Sequence, residues 1–303
     1  MSDTTELLAE LGTLRRERHA VVLAHNYQRP EIQDVADFLG DSLGLSRQAA
    51  ATDAEVIVFC GVHFMAETAK LLSPDKLVLM PEPRAGCPMA DMVTPERLRE
   101  FKAQYPAAPV VSYVNTTAAV KAESDICCTS ANAPAVVRSL PEHRILFVPD
   151  QYLADWVARQ VPEKEIIRYP GFCPTHLAIK PEEVARLKQE HPQAVVVVHP
   201  ECPPDLLALA DAVRSTSGMV KFAGETEADE IIVVTEVGLL HQLTKKYPDK
   251  TFYGLGTAVC PNMKMTTLPK LVACLRDLTG EVTVPEEVVV RARRAVQRMV
   301  EIG

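Results

Sequence analysis

The stretch AVVLAH, residues 20–25, places five apolar residues before a histidine. Short, β-branched runs of this kind are typical of strands buried on both faces of a parallel sheet. Two further runs follow, EVIVFC (55–60) and KLVLM (76–80), and helical patterns accompany them. The helical patterns cover residues 7–18, 31–40 and 64–72. This alternation predicts a parallel α/β sheet that is covered by helices on both faces.

The same order of runs returns twice along the chain. The leading strands of the three units end at His25, Tyr113 and His199, which lie 88 and 86 positions apart. Positions 17 and then 35 residues further on also correspond, namely Ser42, Ser130 and Thr216, followed by Cys60, Val148 and Val234. Self-similarity at a fixed period indicates a repeated structural unit. We therefore expect three homologous α/β/α domains around a pseudo-threefold axis.

The spacing also predicts where the domains end. The expected domains are residues 1–92, 93–178 and 179–265, followed by C-terminal helices in 266–303 that pack back on the repeats. The helical pattern at 285–302 also fits a coiled-coil dimer. Its roughly two and a half heptads are too few to favour that alternative.

The composition excludes several classes of protein. The 303 residues carry a formal net charge of −8 and have a sequence pI near 5.6. A nucleic-acid partner would require a basic face, so we expect none. No apolar run reaches the roughly 18 residues of a membrane span, and the N-terminal residues lack a signal-peptide pattern. We therefore expect a cytoplasmic protein that makes no membrane contact.

Three of the eight cysteines share one phase of the repeat. Cys87, Cys173 and Cys260 are 86 and 87 residues apart, and each is followed by proline. Cys202 is also followed by proline but lies out of phase. We expect the other four cysteines to be structural thiols: Cys60, Cys127, Cys128 and Cys274. If the three units surround one axis, the three in-phase cysteines can meet on it.

Three thiolates without a fourth in phase predict a metal site with an open position. Zinc would fit an open site, although histidine-rich ligand sets are commoner there. A [4Fe–4S] cluster normally takes four cysteines, so three would leave one iron with an exchangeable ligand. Such an iron can act as a Lewis acid on a carbonyl or hydroxyl group.

Polar side chains follow the strand ends on the same predicted edge. Histidine and glutamate can exchange protons there, and tyrosine and asparagine can orient or polarise a substrate. The candidates of this kind are His25, Tyr27, Tyr113, Asn115, His176, His199 and Glu201. Each of the histidines could instead be a hydrogen-bonded structural group, but their number on one edge favours a site.

Hydroxyl groups supply candidate anion-binding positions. Helices are predicted to begin at Ser42, Ser130 and Thr216. These residues could serve only as N-caps, or they could also bind phosphate and carboxylate groups. Because the chain is acidic, helix N-termini and hydroxyls would hold an anionic substrate in place of a field of basic residues. Lys264, four residues after Cys260, could pair with an anion or remain solvated.

Eight segments of the chain, in order, resemble the quinolinate synthase family. These segments are LAHNYQ, GDSLGLS, CPMADM, YVNTTAAVKAESDICCTSANA, PGFCPTH, HPEC, STSGM and GTAVCPNMKM. The resemblance implies three α/β/α domains around a central [4Fe–4S] cluster. It also implies condensation of iminoaspartate with dihydroxyacetone phosphate, which yields quinolinate, phosphate and water for NAD synthesis. A transient contact with an L-aspartate oxidase, the source of unstable iminoaspartate, is a further expectation.

The resemblance assigns roles to individual residues. Cys87, Cys173 and Cys260 would ligate three irons, and the fourth iron would bind substrate and assist dehydration. Tyr27 would aid isomerisation or proton transfer on the triose. Acid–base and binding roles would fall to Glu201, His199, His25 and His176. The groups that bind carboxylates and phosphate would be Tyr113, Asn115, Ser42, Ser130, Ser215 and Thr216.

Two other functions fit the pattern of residues without the resemblance. The first is a hydratase or dehydratase with an open-iron cluster and another substrate, which would act on a hydroxy acid alone. The second is a non-enzymatic redox or iron sensor, which would bind the cluster through a fourth protein ligand.

Some family members carry a C-x-x-C-x-x-C run near the third ligand. This chain lacks that run, because Cys260 and Cys274 are 14 residues apart.

Overall fold

The leading strands predicted from the sequence each lie second in a four-stranded, all-parallel sheet. The computed structural model describes residues 2–302 and contains three such sheets with the same strand order. The first sheet has the order β2-β1-β3-β4, from β1 (Ala20–His25), β2 (Phe38–Gly40), β3 (Val56–Cys60) and β4 (Leu77–Leu79). The predicted fold class of three parallel α/β units is confirmed.

The other two sheets repeat this arrangement. The second has the order β6-β5-β7-β8, from β5 (Val110–Tyr113), β6 (Ile126–Cys128), β7 (Arg144–Val148) and β8 (Glu165–Arg168). The third has the order β10-β9-β11-β12, from β9 (Val195–Val198), β10 (Ala212–Val213), β11 (Glu230–Val234) and β12 (Thr251–Tyr253). The predicted domain boundaries near 92, 178 and 265 fall between the sheets and stay a prediction.

The strand register is the same in all three sheets. In the central pairs, Ala20 lies opposite Val56, Val110 opposite Leu146, and Val195 opposite Ile231, always 36 residues later. The pairs with the first edge strand are always offset by 15 residues, and those with the last edge strand by 21. Because parallel strands need a crossover, these equal offsets require connections of equal length in the three units. Their carboxyl ends therefore present equivalent positions.

Helices cover the sheets and fill the connections. Those of the first unit are α1 (Ser2–Glu17), α2 (Pro30–Gln33), α3 (Ser42–Ala51) and α4 (His63–Leu72). Those of the second unit are α5 (Pro95–Ala103), α6 (Ala118–Ala122), α7 (Ala133–Arg138), α8 (Gln151–Gln160) and α9 (Pro174–Leu177). The third unit contains α10 (Pro181–Glu190), α11 (Pro204–Leu207), α12 (Thr216–Glu225) and α13 (Leu239–Lys246).

Two helices follow the third sheet, α14 (Leu268–Asp277) and α15 (Glu286–Val300). α14 packs against α1 and β3, and α15 packs against α4, α6 and β6. α15 buries its face with Ala292, Ala295, Val296 and Met299. It therefore contacts elements of both the first and the second unit. Within residues 2–302, no helix combines the length and the apolar character that a membrane crossing needs.

Two predicted helix boundaries are wrong. Residues 31–40 were predicted as one helix, but α2 ends at Gln33 and β2 occupies Phe38–Gly40. The free edge of β1 binds this segment, which shows that strand pairing outweighs local helix propensity. Ser130 was predicted to begin a helix, but α7 begins at Ala133, one residue before Pro134. Proline is preferred in the first helical turn, so the helix begins beside it.

An aspartate secures the edge strand of every unit. Asp37, Asp125 and Asp211, 88 and 86 residues apart, each accept a 2.8 Å hydrogen bond from a buried backbone N–H of the leading strand. The backbone N–H of each aspartate in turn donates to the carbonyl of the same leading-strand residue. This N–H of the leading strand lies before the first residue of the edge strand, so no strand carbonyl can accept its hydrogen bond. The aspartate carboxylate accepts it instead.

A lysine makes a second repeated contact, just before the last strand of each unit. Lys76, Lys164 and Lys250 donate from Nζ to backbone carbonyls at the ends of α3, α7 and α12. A helix C-terminus leaves carbonyls without partners and carries partial negative charge, so an ammonium group there is stabilising. The three lysines are again 88 and 86 residues apart.

We expect Asp211→Ala to lower the free energy of unfolding by about 1–3 kcal/mol. The substitution leaves the buried N–H of Val196 without an acceptor, which costs about that much. Asp211→Asn retains an acceptor oxygen and should cost less. Urea unfolding followed by circular dichroism measures both, with the exposed Glu227→Ala as the matched control. Equal midpoints for Asp211→Ala and Glu227→Ala would show that the repeated aspartate bond does not stabilise the sheet.

Candidate active site

A cavity of about 160 Å³ lies where the carboxyl ends of the three sheets meet. It has room for a group of several atoms, far more than one water molecule. All but two of the predicted site residues line it. Those that do are Cys87, Cys173, Cys260, His25, Tyr27, Ser42, Tyr113, Asn115, Ser130, His176, His199, Glu201 and Thr216. Residues far apart in sequence therefore meet in one place, as equivalent strand ends predict.

Each in-phase cysteine begins a tight turn whose backbone N–H groups point at its sulfur. Ala90 and Met89 donate to Cys87, His176 donates to Cys173, and Met263 and Asn262 donate to Cys260. The proline after each cysteine has no N–H and fixes its own φ, so the first free amides of the turn fall two and three residues after the sulfur. N–H donors of this kind stabilise a thiolate.

The loops that carry the cysteines are held in the same way in all three units. The carbonyl two residues before each cysteine accepts a backbone hydrogen bond of 2.8–2.9 Å from the residue that lies three positions after the third strand. The donors and acceptors are His63 to Ala85, Gln151 to Gly171, and Val237 to Ala258. Each cysteine loop is thus fixed relative to the neighbouring strand end.

All eight cysteines are free thiols, and three of them differ in exposure from the rest. Cys87, Cys173 and Cys260 are half-buried and face the cavity, whereas the other five are buried. Burial raises the pKa of Cys87 to about 12 and raises the pKa of Cys173 and Cys260 above the ordinary range. A metal that binds these thiols would displace their protons, because coordination deprotonates cysteine ligands.

A chain of hydrogen bonds crosses the cavity wall, starting at Tyr27. The Tyr27 hydroxyl lies 2.9 Å from Thr216 Oγ1 and 2.7 Å from Thr235 Oγ1. Thr235 Oγ1 also lies 2.9 Å from His176 Nε2. The tyrosine of the first unit is therefore held by two hydroxyl groups of the third unit, and one of them leads to a histidine.

The chain continues through Glu201. His176 Nδ1 lies 2.7 Å from Glu201 Oε2, and Tyr113 donates its hydroxyl to Glu201 Oε1. His199 stacks on His176 with ring centroids 4.7 Å apart. Thus Tyr27, Thr235, His176, Glu201 and Tyr113 form one continuous network that joins all three units.

Burial and neighbouring charges set the ionisation of this network. Burial opposes ionisation of Glu201, but His176 and then His199 and Tyr113 lower its pKa to about 2. Burial, followed by the charge of Glu201, raises the pKa of Tyr27 and Tyr113 well above 10. At neutral pH the network therefore contains one carboxylate and two protonated tyrosines.

His25 and His199 are neutral, and their tautomer follows from their contacts. Burial lowers the pKa of His25 to about 4 and that of His199 to about 3. In each, Nδ1 lies within hydrogen-bond reach of the backbone N–H two residues later, on Tyr27 at 3.1 Å and on Glu201 at 3.3 Å. Because Nδ1 accepts, Nε2 carries the proton. Both rings are thus neutral donors, and His199 Nε2 lies 3.4 Å from Ser130 Oγ.

Among the helix N-termini that line the cavity, those of α3 and α12 carry a hydroxyl-bearing first residue. Ser42 and Thr216 are their first residues, and the capping side chains are those of Asp41 and Ser215. The sequence therefore identified the right segments but placed the caps one residue too late. The Asp41 carboxylate accepts from Gly44 N and from Ser217 Oγ, so α3 already has an anion at its end. α12 has only a hydroxyl cap and is the better place for a ligand anion.

Ser215 and Lys264 are the two predicted site residues that do not line the cavity. Ser215 accepts a hydrogen bond from Gly218 N and so caps α12. Lys264 Nζ lies 2.9 Å from Glu236 Oε1 and donates to the Tyr27 carbonyl. The proposed role of both as substrate ligands stays a prediction. Asn115, in contrast, lines the cavity with a side-chain oxygen that has no partner.

Three polar residues, Thr235, Glu236 and Asp150, were not predicted from the sequence. Thr235 and Glu236 follow Val234, and Asp150 lies 86 residues before Glu236. The signal that identified His25 and Tyr113 also applies to them, because they are polar residues at the carboxyl end of a buried strand.

The donor set fits an iron–sulfur cluster better than a single metal ion. Cys173, His176 and Glu201 bring ligand atoms within 4.8 Å of one another. However, a single ion there would use only one of the three in-phase thiols, and His176 Nε2 already lies 2.9 Å from Thr235 Oγ1. The three thiols around the cavity, each with N–H donors, are the ligands that clusters use.

The chain is similar to one protein family along nearly its whole length. The family model described as "Quinolinate synthetase A protein" matches residues 9–301. The quinolinate synthase of Thermodesulfovibrio yellowstonii is 57% identical over 294 residues, which cover 97% of each chain. Those of Desulforudis audaxviator and Aquifex aeolicus are 55% and 52% identical over 304 residues, covering 100% of both chains in the first case and 98% of this chain and 94% of the relative in the second. These relatives are synthases, so the chain is an enzyme, and it belongs to the quinolinate synthase family.

Proposed function

We propose that this enzyme condenses iminoaspartate with dihydroxyacetone phosphate to quinolinate, as a step of de novo NAD biosynthesis. The reaction forms one carbon–carbon and one carbon–nitrogen bond and releases phosphate and water, so the enzyme would be a condensing and dehydrating transferase. The observation that carries the proposal is the convergence of three half-buried thiols, one from each unit, on a cavity that also holds the Tyr27–Glu201 network. Small molecules are its expected substrates.

A [4Fe–4S] cluster would be held by Cys87, Cys173 and Cys260. With three protein ligands, one iron would supply a Lewis acid that assists the departure of a hydroxyl group. The backbone N–H groups on the three sulfurs would stabilise the thiolates. Most of the polar side chains that line the cavity are buried, which strengthens the electrostatic interactions between them.

The Tyr27 network is suited to moving protons on the triose. A ketone can become an aldehyde only if one proton leaves a carbon and another reaches the neighbouring position. Tyr27 can give its proton from the hydroxyl and regain one from Thr235, which is hydrogen-bonded to His176. The proton that leaves the carbon would pass to the Glu201 carboxylate, which lines the same cavity and contacts His176. Glu201 would also hold His176 and Tyr113 in position.

Neutral donors would bind the acidic groups of the substrates. His25 and His199 present Nε2–H, and Ser42, Ser130 and Thr216 add hydroxyl groups on the same cavity. The N-terminus of α12 contributes partial positive charge at Thr216. Asn115 offers its unpartnered oxygen to an N–H or O–H of the ligand.

A transient contact with an L-aspartate oxidase, and a cytoplasmic location, remain predictions.

The direct test is Mössbauer spectroscopy on anaerobically produced, iron-57-labelled protein, with and without quinolinate. We expect one iron in four to change its spectrum when quinolinate is added, because that iron lacks a protein ligand. The same preparation should form quinolinate from dihydroxyacetone phosphate and iminoaspartate generated from oxaloacetate and ammonia. Four unchanged tetrathiolate irons would support a sensor, and turnover of a hydroxy acid alone would support a hydratase.

The cysteine assignment predicts a sharp division among the variants. Cys87→Ala, Cys173→Ala and Cys260→Ala should each lower the iron bound per chain from about four to below about one. Iron and acid-labile sulfide measured on the anaerobic protein test this. Cys202→Ala is the matched control, since this cysteine also precedes a proline but does not line the cavity. Iron loss in the control, or retention in any of the three, would contradict the ligand set.

The proton-transfer role predicts that Tyr27→Phe lowers kcat by about 10²–10⁴-fold and leaves iron content unchanged. Thr235→Val should have a smaller effect in the same direction, because it removes the connection to His176 but keeps the tyrosine. Steady-state kinetics with iron analysis measure both effects. Tyr169→Phe, whose hydroxyl binds the Met92 carbonyl away from the cavity, serves as the control. Unchanged kcat in Tyr27→Phe would remove this residue from the mechanism.

A further inference from the structure

Glu236 is a fully buried carboxylate whose two oxygens are both used. Oε1 accepts a hydrogen bond from Cys260 N at 3.1 Å, and Oε2 accepts one from Gly238 N at 2.7 Å. The side chain has no exposed surface. Glu236 therefore fixes the backbone of the segment 258–264, here called the Cys260 loop, at the ligand cysteine itself.

Lys264, at the end of the Cys260 loop, connects this carboxylate to the first unit. Its Nζ lies 2.9 Å from Glu236 Oε1 and 3.1 Å from Oε2, and it donates to the Tyr27 carbonyl at 2.5 Å. The ammonium charge is thus neutralised within the protein. The Tyr27 carbonyl belongs to the segment 26–33, here called the Tyr27 loop, which also presents the Tyr27 hydroxyl to the cavity.

The two loops meet without space between them. A Cβ on Gly238 would lie 2.8 Å from Glu236 Oε2, 2.8 Å from Lys264 Nζ and 2.9 Å from the Tyr27 carbonyl carbon. The Gly238 carbonyl accepts from Gln33 Nε2 at 2.8 Å, and the same amide group binds two carbonyls inside the Tyr27 loop. A shift of the Cys260 loop would therefore be transmitted to the Tyr27 loop.

The pair occurs only in the third unit, whose cysteine loop contacts the Tyr27 loop of the first unit. Lys264 is four residues after its cysteine, and the corresponding positions after Cys173 and Cys87 are Leu177 and Asp91. The position of Glu236 is Asp150 in the second unit and Val62 in the first. Asp150 also contacts the backbone of its cysteine, Cys173, so the lysine is the part of the pair that the third unit adds.

We propose that Glu236 and Lys264 act as a positioning pair that sets the Tyr27 hydroxyl relative to the cluster ligand Cys260. Lys264 binds the Tyr27 carbonyl, and Glu236 holds Lys264 and the Cys260 amide on one carboxylate. Neither residue transfers a proton in this role. The catalytic part of the inference rests on the proposed function, whereas the coupling of the two loops does not.

Hydrogen exchange monitored by mass spectrometry tests the coupling of the loops. In Lys264→Met we expect the amides of the Tyr27 loop to exchange about tenfold faster. The loop loses a contact that opposes its local opening, and exchange requires that opening. Because this variant leaves a buried carboxylate unpaired, the double variant E236Q/K264M removes both charges and keeps the protein folded. It should show the same faster exchange. Unchanged exchange in the double variant would overturn the inference.

The matched control is Lys270→Met. Lys270 Nζ binds the Glu82 carboxylate at 2.6 Å and the Met265 carbonyl at 2.9 Å, which are the same kinds of partner. Neither partner lines the cavity. We expect this variant to leave the exchange of the Tyr27 loop, the iron content and kcat at wild-type values. Faster exchange of the Tyr27 loop in Lys270→Met would show a general loss of stability and overturn the specific role.

Kinetics test whether the pair acts through Tyr27. We expect E236Q/K264M to keep its iron and sulfide and to lose about 100-fold in kcat with KM within about threefold, as for a displaced catalytic group. Added to Tyr27→Phe, the same two substitutions should lower kcat no further. If the loss of kcat in the combined variant equalled the product of the losses in Tyr27→Phe and E236Q/K264M, the inference would be overturned. If the wild type forms no quinolinate, the proposed function fails, and the exchange experiment alone still decides the coupling.

Discussion

The site depends on one backbone hydrogen bond that is made three times. In every unit, an amide just after the third strand donates to the carbonyl two residues before the in-phase cysteine. The loop that carries the cysteine follows the last strand, at the side of the sheet. The bond holds this loop against the carboxyl end of a central strand. Because the strand registers are equal in the three sheets, the three loops arrive at equivalent places. The thiols can then share one cavity although 86 and 87 residues separate them.

The periodic parts of this architecture could be predicted from the sequence, because they follow from spacing alone. His25, Tyr113 and His199 end the leading strands or directly follow them, and the phase of the cysteines identified the loops that line the cavity. β2 could not be recognised, since its three residues form a strand only by pairing with β1. Local pattern carries no information on a partner that lies 15 residues away.

The roles of particular side chains were harder to predict for a related reason. Lys264 looked like a candidate anion ligand because a cation close to a cysteine loop is rare in this acidic chain. Only the three-dimensional arrangement reveals that Glu236 and the Tyr27 carbonyl already occupy its donors. Similarly, nothing in the sequence distinguishes Thr235 from other threonines. Its importance comes from its position between the Tyr27 hydroxyl and His176 Nε2.

The charge of the cavity lining has a consequence for how product leaves. Among the residues that the structure describes, those around the cavity include no lysine or arginine, and Lys264 is bound to the Glu236 carboxylate. Under the proposed function, inorganic phosphate would be released into a pocket whose protein lining offers anions neutral hydrogen-bond donors and helix N-termini. A lining without a fixed cation would bind a dianion less tightly than a cluster of lysine or arginine residues. Its affinity for anions would also vary little with ionic strength, because salt screens charges far more than it weakens hydrogen bonds from neutral groups.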